Sequence, residues 1–270
     1  MISHVDIIES ITNIAAQSAV ILENKGMIPA GNSAHFYSSV LQAHNDSLKE
    51  NICYFANQET MRTTGLFSPC PSFYRTMYMQ SNLSLMLYAS NLEALSQTFF
   101  FIKTVIAHFG IDQYPLYIIC SPSPINAVWK PYTSDYKLIE VAETKRFSVV
   151  DQLLGDYINI VCFYNQKLVP VAEISYAVEC NGRYFSDTFI NPDIIEFLVN
   201  TLPDKFALSQ YQQYKSVLRS VGLEYYDEAH SLELIKSIAA CLSKQIFPSA
   251  RGRGYIVKQL VYKLVFVTGG

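Results

Sequence analysis

Arg251 and Arg253, set between small residues in "PSARGRGY", are conspicuous candidates for chemistry because they open straight into the lysine-bearing apolar segment "IVKQLVYKLV". Three readings fit: a phosphate or RNA contact, a basic cap on a core element, or the remnant of a larger junction. No strand-and-helix frame for a phosphate loop surrounds the stretch, which weakens the first. The cysteines at 53, 70, 120, 162, 180 and 241 contain no Cys-x-x-Cys pair, and the histidines at 4, 35, 44, 108 and 230 do not group with them. That spacing argues against a structural zinc site. Cys53, Cys70 or Cys162 with His108 or His230 could form a thiol and base across the fold, a combination any chain of this length offers. Glu173 lies in the alternating run "VAEISYAV", and a carboxylate buried on one face of such a strand demands a partner.

The elements that must position these residues are legible in outline. Residues 3 to 25 carry a helical stripe with Ser3 as cap and Gly26 as stop, and residues 35 to 50 read as a short amphipathic helix. "NICYFANQETMRT" is extended, "TTGLFSPCPS" is a loop rich in proline, and "FYRTMYMQSN" resumes as a strand. Residues 90 to 109 form a helix stopped by Gly110, and "PLYIICS" forms a strand. The stretch 158 to 189 predicts a hairpin turning at "NQK", then a third strand after "CNGR". Beyond Pro192 the chain is mostly helical, and 254 to 267 fits helix or strand equally. Antiparallel strands with helices on either side in sequence predict an α+β fold, an antiparallel sheet flanked by helices.

Composition bounds the function. Of 270 residues, 50% are hydrophobic and 16% charged, enough apolar material for a substantial core. A net charge of −3 confines any polyanion contact to a local patch. The 19 Tyr and 16 Phe are read mainly as packing, with base stacking the minority option. No apolar run reaches the ~20 residues that span a bilayer. The N-terminal stretch has no secretory pattern, so a cytoplasmic protein with reduced, mostly buried thiols is expected.

One resemblance sharpens this outline. "PSARGRGYIVKQLVYKLV" is similar to the "PSN-E-GRGYVLRR" signature of alanyl-tRNA synthetases, with Pro248, Ser249, Arg253, Gly254, Tyr255, Val257 and Lys258 in place. "ANQETMRT" resembles that family's "SQ-CVRAGG", matching Gln58 and Arg62, and "SFYRTMY" resembles "TFFEML", matching Phe73 or Tyr74. "VAEISYAV" resembles "CSEI-YD", matching Glu173, Ile174 and Tyr176, and "VGLEYY" resembles "MGLER". The matches run in the family's order from about residue 50 to 265, and the stretch 111 to 165 adds nothing to them.

The resemblance implies a class II synthetase-like catalytic domain over 1–245 and a seam over 246–270 resembling the start of the tRNA-recognition region. It implies ATP and Mg2+ as cofactors. Arg62 would hold the α-phosphate, as a guanidinium's paired donors suit, with Phe73 stacking on adenine and Arg75 beside it. Glu173 and Tyr176 would meet a small amino acid or related carboxylate. The chain departs from the family at Tyr225, where motif 3 has its arginine, at Leu218, matched to the aspartate that receives the substrate ammonium, and at Ala250, in place of the signature's asparagine. Two functions follow. One is a ligase forming an adenylate for an acceptor other than tRNA, such as a carrier protein. The other is a non-catalytic paralogue acting as a binding or regulatory module. tRNA charging by this chain alone is not expected, and a homodimer is implied by resemblance only.

Overall fold

The computed structural model describes residues 1–22, 52–61, 79–89, 96–121, 133–141, 147–148, 154–178, 183–222 and 228–267. Arg62, Phe73, Arg75, Tyr225, the 35–50 helix, the proline-rich loop, the "CNGR" turn and the stop at Gly26 lie outside the described residues.

Helix α1 (His4–Ala16) starts where Ser3 and Asp6 cap each other's backbone N–H groups, so the Ser3 cap holds. It is shorter than its apolar stripe predicts: the chain leaves the helix and pairs as β1 (Ala19–Leu22) parallel to β2 (Cys53–Met61). "AVIL" is β-branched at two of four positions, and an available sheet edge outweighs its helical phase. β3 (Met79–Ala89) follows, then α2 (Ser96–His108), stopped by Gly110 at φ 64. A short 3-10 turn (Ile111–Gln113) leads into β4 (Leu116–Cys120), β5 (Lys137–Glu140) and β6 (Phe147–Ser148). β7 (Leu154–Tyr164), β8 (Lys167–Val178) and β9 (Tyr184–Ile190) form the expected hairpin and third strand.

The sheet runs β1-β2-β3-β9-β8-β7-β4-β5, with β6 also on β7. Every pairing is antiparallel except the two outermost, β1 with β2 and β4 with β5. Asn165 (φ 47) and Gln166 (φ 62) turn β7 into β8 in the left-handed pair that matches strand twist. Glycine holds that conformation without a Cβ clash, so Gln166→Gly is expected to raise the unfolding free energy by about 1 kcal/mol in urea titrations.

The remaining helices are α3 (Pro192–Val199), α4 (Ser209–Ser220), α5 (Glu228–Ser243) and α6 (Gly252–Val267). Residues 254–267 are thus helical. Pro192 opens α3 at its first turn, where a missing N–H costs nothing. α6 packs on α5 through Leu234, Cys241, Val257 and Leu260, with Met61 of β2 beneath. Arg251 and Arg253 sit exposed at the start of α6.

Alternation divides the sheet into two unlike faces. Cys53, Phe55, Leu83, Leu85, Leu87, Ile158, Ile160, Ile174 and Ile190 point into one continuous core with Ile7 and Ile11 of α1, Phe99 and Ile102 of α2, and Ile195 and Leu198 of α3. The intervening residues form the other face, where Gln58, Asn82, Ser84, Glu173, Ser175 and Asp187 make a polar patch among the apolar Ala56, Met86, Ala177 and Phe185.

Candidate functional site

The polar face is built by register. Gln58 of β2 pairs with Asn82 of β3, and Ala56 with Ser84, whose Oγ donates to Asn82 Oδ1 at 3.0 Å. Met86 of β3 pairs with Asp187 of β9, and Asp187 with Ser175 of β8. Glu173 of β8 stands between Phe189 of β9 and Asn159 of β7. Because side chains on one strand face repeat every second residue, Glu173, Ser175 and Asp187 belong to one patch, the two carboxylates being diagonal neighbours about 7–8 Å apart at the backbone. Tyr88 closes the side of this face, with Arg183 5.8 Å from its ring centre.

Burial grades across the face. Gln58, Asn82, Ser84 and Asp187 are buried, whereas Asn159, Glu173, Ser175 and Phe189 are half-buried. The accessible centre therefore combines a carboxylate, an amide, a hydroxyl and an aromatic ring. Such a set can receive an ammonium on Glu173 and Asp187, orient a polar body through Asn159 and Ser175, and exclude water along Phe189.

The structure separates the two substrate candidates. Glu173 faces this polar patch, but Tyr176, three residues on, points to the opposite face, where it is 3% exposed in the helix-side core. An odd spacing along a strand cannot bring two side chains to one site. Gln58 shares the polar face, and β2 ends at Met61, immediately before Arg62. Leu218 lies on α4 and is buried in the helix-side core, so packing alone accounts for a leucine there. Its mismatch with the family's aspartate therefore carries no weight about an ammonium anchor. Asp187 is the acidic residue that sequence reading missed; it sits in "FSDTF", whose strand pattern was visible but whose face was not.

The described thiols do not support nucleophilic chemistry; Cys70 and Cys180 lie outside the described residues. Cys53, Cys120, Cys162 and Cys241 are all buried and free. Burial pushes the thiols of Cys53 and Cys162 up to about 12, so neither holds a useful thiolate fraction near neutrality. Cys53 Sγ donates to Gln97 Oε1 at 3.1 Å, on the helix side of the sheet.

A second polar cluster lies away from this face, among the helices. Asp193 of α3 is fully buried; its Oδ2 accepts from Lys236 Nζ of α5 at 3.0 Å and its Oδ1 accepts from Gln210 Nε2 of α4. His4 of α1 brings Nδ1 to 2.7 Å from Asp193 Oδ1, and its Nε2 is 3.3 Å from Ser81 Oγ of β3. Next to it, Glu233 Oε1 of α5 accepts from Lys205 Nζ and from the Tyr211 hydroxyl, each at 2.8 Å. The adjacent Lys236 charge, with His4, holds the Asp193 carboxyl well below the usual carboxylate range against the opposing effect of its burial. Burial, reinforced by the charges of Glu233 and Asp193, pushes the Tyr211 hydroxyl far above its ordinary value.

No family model and no curated protein matches the chain. Among solved structures, it is similar to apo histidyl-tRNA synthetase of S. aureus, with a TM-score of 0.51, 9% identity, 82% of this chain covered and 78% of that one. Weaker likenesses, each with a TM-score of 0.47 and 10% identity, are to the RNA binding domain of threonyl-tRNA synthetase from Cryptosporidium parvum Iowa II and to PylSc, a pyrrolysyl tRNA synthetase from Desulfitobacterium hafniense. The first spans 80% of this chain and 66% of its own, the second 76% and 71%. At such identity the likeness speaks for architecture alone. The antiparallel sheet with its helix-covered face and its polar face is a class II synthetase-like fold.

Proposed function

We propose that the polar face binds a small amino acid or related carboxylate together with ATP, and that the chain activates the carboxylate as an adenylate for an acceptor other than tRNA, such as a carrier protein, in the cytoplasm. The observation that carries this reading is Glu173, set at the half-buried centre of a polar sheet face with Asn159, Ser175 and Asp187 around it. Glu173 would hold the substrate ammonium, and Asn159 and Ser175 would orient its body. Bound ATP would supply the activated α-phosphate. The carboxylate and amide oxygens are of the kind that Mg2+ accepts, so the donor set fits the metal that the resemblance implies. Arg62 follows β2 directly in the chain and, with Phe73 and Arg75, is assigned to the nucleotide by resemblance. No described helix is long and apolar enough to cross a membrane.

The second reading, a non-catalytic binding module, draws on Tyr225, which offers no fixed charge where the family has its arginine. ATP-pyrophosphate exchange and calorimetry across a panel of amino acids separate the two. Activation predicts exchange with at least one small amino acid, reduced about 100-fold or more in Glu173→Gln, since a charge-assisted hydrogen bond contributes ~1.5–3 kcal/mol at each stage that uses it. Heats of amino-acid binding that need Glu173, without exchange, support the module. Neither exchange nor binding refutes both.

A further inference from the structure

We propose that His4, Asp193 and Glu196 form a divalent-cation site, of the class that accepts imidazole and carboxylate together, with Zn2+ as its natural occupant. His4 Nδ1, a carboxylate oxygen of Asp193 and one of Glu196 all lie within 4.8 Å of one another. One imidazole nitrogen and two carboxylate oxygens suit Zn2+ or Mn2+, and zinc takes such ligands at about 2.0 to 2.2 Å.

Independent observations point to a ligand. Glu196 is fully buried; its Oε1 accepts from Ser209 N at 2.7 Å, but its Oε2 has no hydrogen-bond partner. A buried carboxylate oxygen left that way is costly unless something positive meets it. His4 Nδ1 stands 2.7 Å from Asp193 Oδ1 yet off the line that a hydrogen bond needs, so this buried ring nitrogen too has no hydrogen-bond partner. Nearby charges do not close the account. Among the described residues, Lys236 pairs with Asp193 and Lys205 with Glu233, while Glu196 meets the N-terminus of α4 through Ser209 N.

The surroundings resemble the outer shell of a metal site. With Nδ1 on the ion, the imidazole must carry its proton on Nε2, where Ser81 Oγ at 3.3 Å accepts it and fixes the ring. Lys236 and Gln210 orient the Asp193 carboxylate from α5 and α4. The N-terminal segment is held by a two-bond clasp, Ile2 N to Asn200 Oδ1 at 2.9 Å and Asn200 Nδ2 to Ile2 O at 2.7 Å, which sets His4 beside α3. His4 keeps 17% of its side chain exposed and so provides the entry path. The site lies on the helix side of the sheet and does not depend on the reaction assigned to the polar face.

The test is titration of the whole chain, stripped with a chelator, with Zn2+ and in parallel with Mn2+, followed by calorimetry and thermal unfolding. One equivalent of Zn2+ is expected to bind and raise Tm, with Glu196→Gln and His4→Gln each weakening affinity at least about 30-fold. Ser81→Ala should weaken it about 10-fold. His4→Gln, altering a partly exposed residue, keeps the test open if Glu196→Gln fails to fold. No uptake of either ion by the folded chain overturns the proposal, as does uptake unchanged in His4→Gln. Mn2+ binding in preference to Zn2+ retains the site and changes its occupant.

Discussion

Asp193→Ala is expected to cost about 3–5 kcal/mol of unfolding free energy, the range for removing one partner of a buried ion pair. Lys236 is 8% exposed and Asp193 0%, so the orphaned ammonium cannot recover its hydration without opening the helix packing. The same truncation takes the acceptor from Gln210 and the carboxylate from beside His4, which loosens α4 and α1 from α3. Urea denaturation by circular dichroism measures the loss, with Asp135→Ala as control: its pair with Lys103 is open to solvent, and little or no change is expected there. A pH dependence follows from the sign of the Asp193 shift. The folded carboxyl ionises at lower pH than the unfolded one, whose value is near 3.8, so its contribution is whole at neutral pH. It is lost as the medium is acidified from about pH 5 toward the lowered folded value. Asp193→Ala should flatten the stability curve over that acidic range.

Glu233→Ala is expected to fall in the same range, about 3–5 kcal/mol, because it removes the carboxylate that pairs with Lys205, 4% exposed, and accepts from the buried Tyr211 hydroxyl. Replacing both charges separates attraction from desolvation. The pair Lys205→Met with Glu233→Leu should recover most of the loss, since apolar residues of similar volume often match a buried ion pair. If the double variant is as unstable as Glu233→Ala, the charge on Lys205 is not what the single variant exposes. Tyr211→Phe alone should cost less, about 1.5–3 kcal/mol, the net worth of one hydrogen bond to a charged group.

These two clusters were invisible in the sequence for a reason of distance. His4, Asp193, Gln210 and Lys236 come from four helices, and nothing in "ISHVDII" or "NPDIIEF" marks a partner far along the chain. Asp193 reads as a first-turn acid favoured by the helix dipole, and it has that place in α3 as well. Its burial depends on where α5 packs. The spacing of cysteines and histidines argued against a structural zinc site, but that argument covers only local motifs, and a carboxylate and imidazole set gathered by packing escapes it.

Local elements were legible because short-range physics decides them. The β7–β8 hairpin, the stop at Gly110, the Ser3 cap and Pro192 at the start of α3 each rest on a turn, a cap or an alternation contained within a few residues. The antiparallel sheet flanked by helices followed from their order, and the likeness to histidyl-tRNA synthetase agrees with it. Where the apolar phase was ambiguous, tertiary contacts chose: "AVIL" became an edge strand on β2, and 254–267 became a helix on α5.

The amino-acid sequence by itself determined β2, β3, β4 and β7 to β9, the Ser3 cap, the stop at Gly110, the start at Pro192 and the alternation that makes Glu173 a candidate, whereas β1, β5 and β6 were not legible in it. Only the tertiary structure decided which sheet face the helices cover, and hence that Glu173 joins Asp187 while Tyr176 and Leu218 go to the core. Alternation says that neighbouring side chains part, but not which direction is the interior. That is set by the apolar surface the helices must bury, summed over the whole sheet.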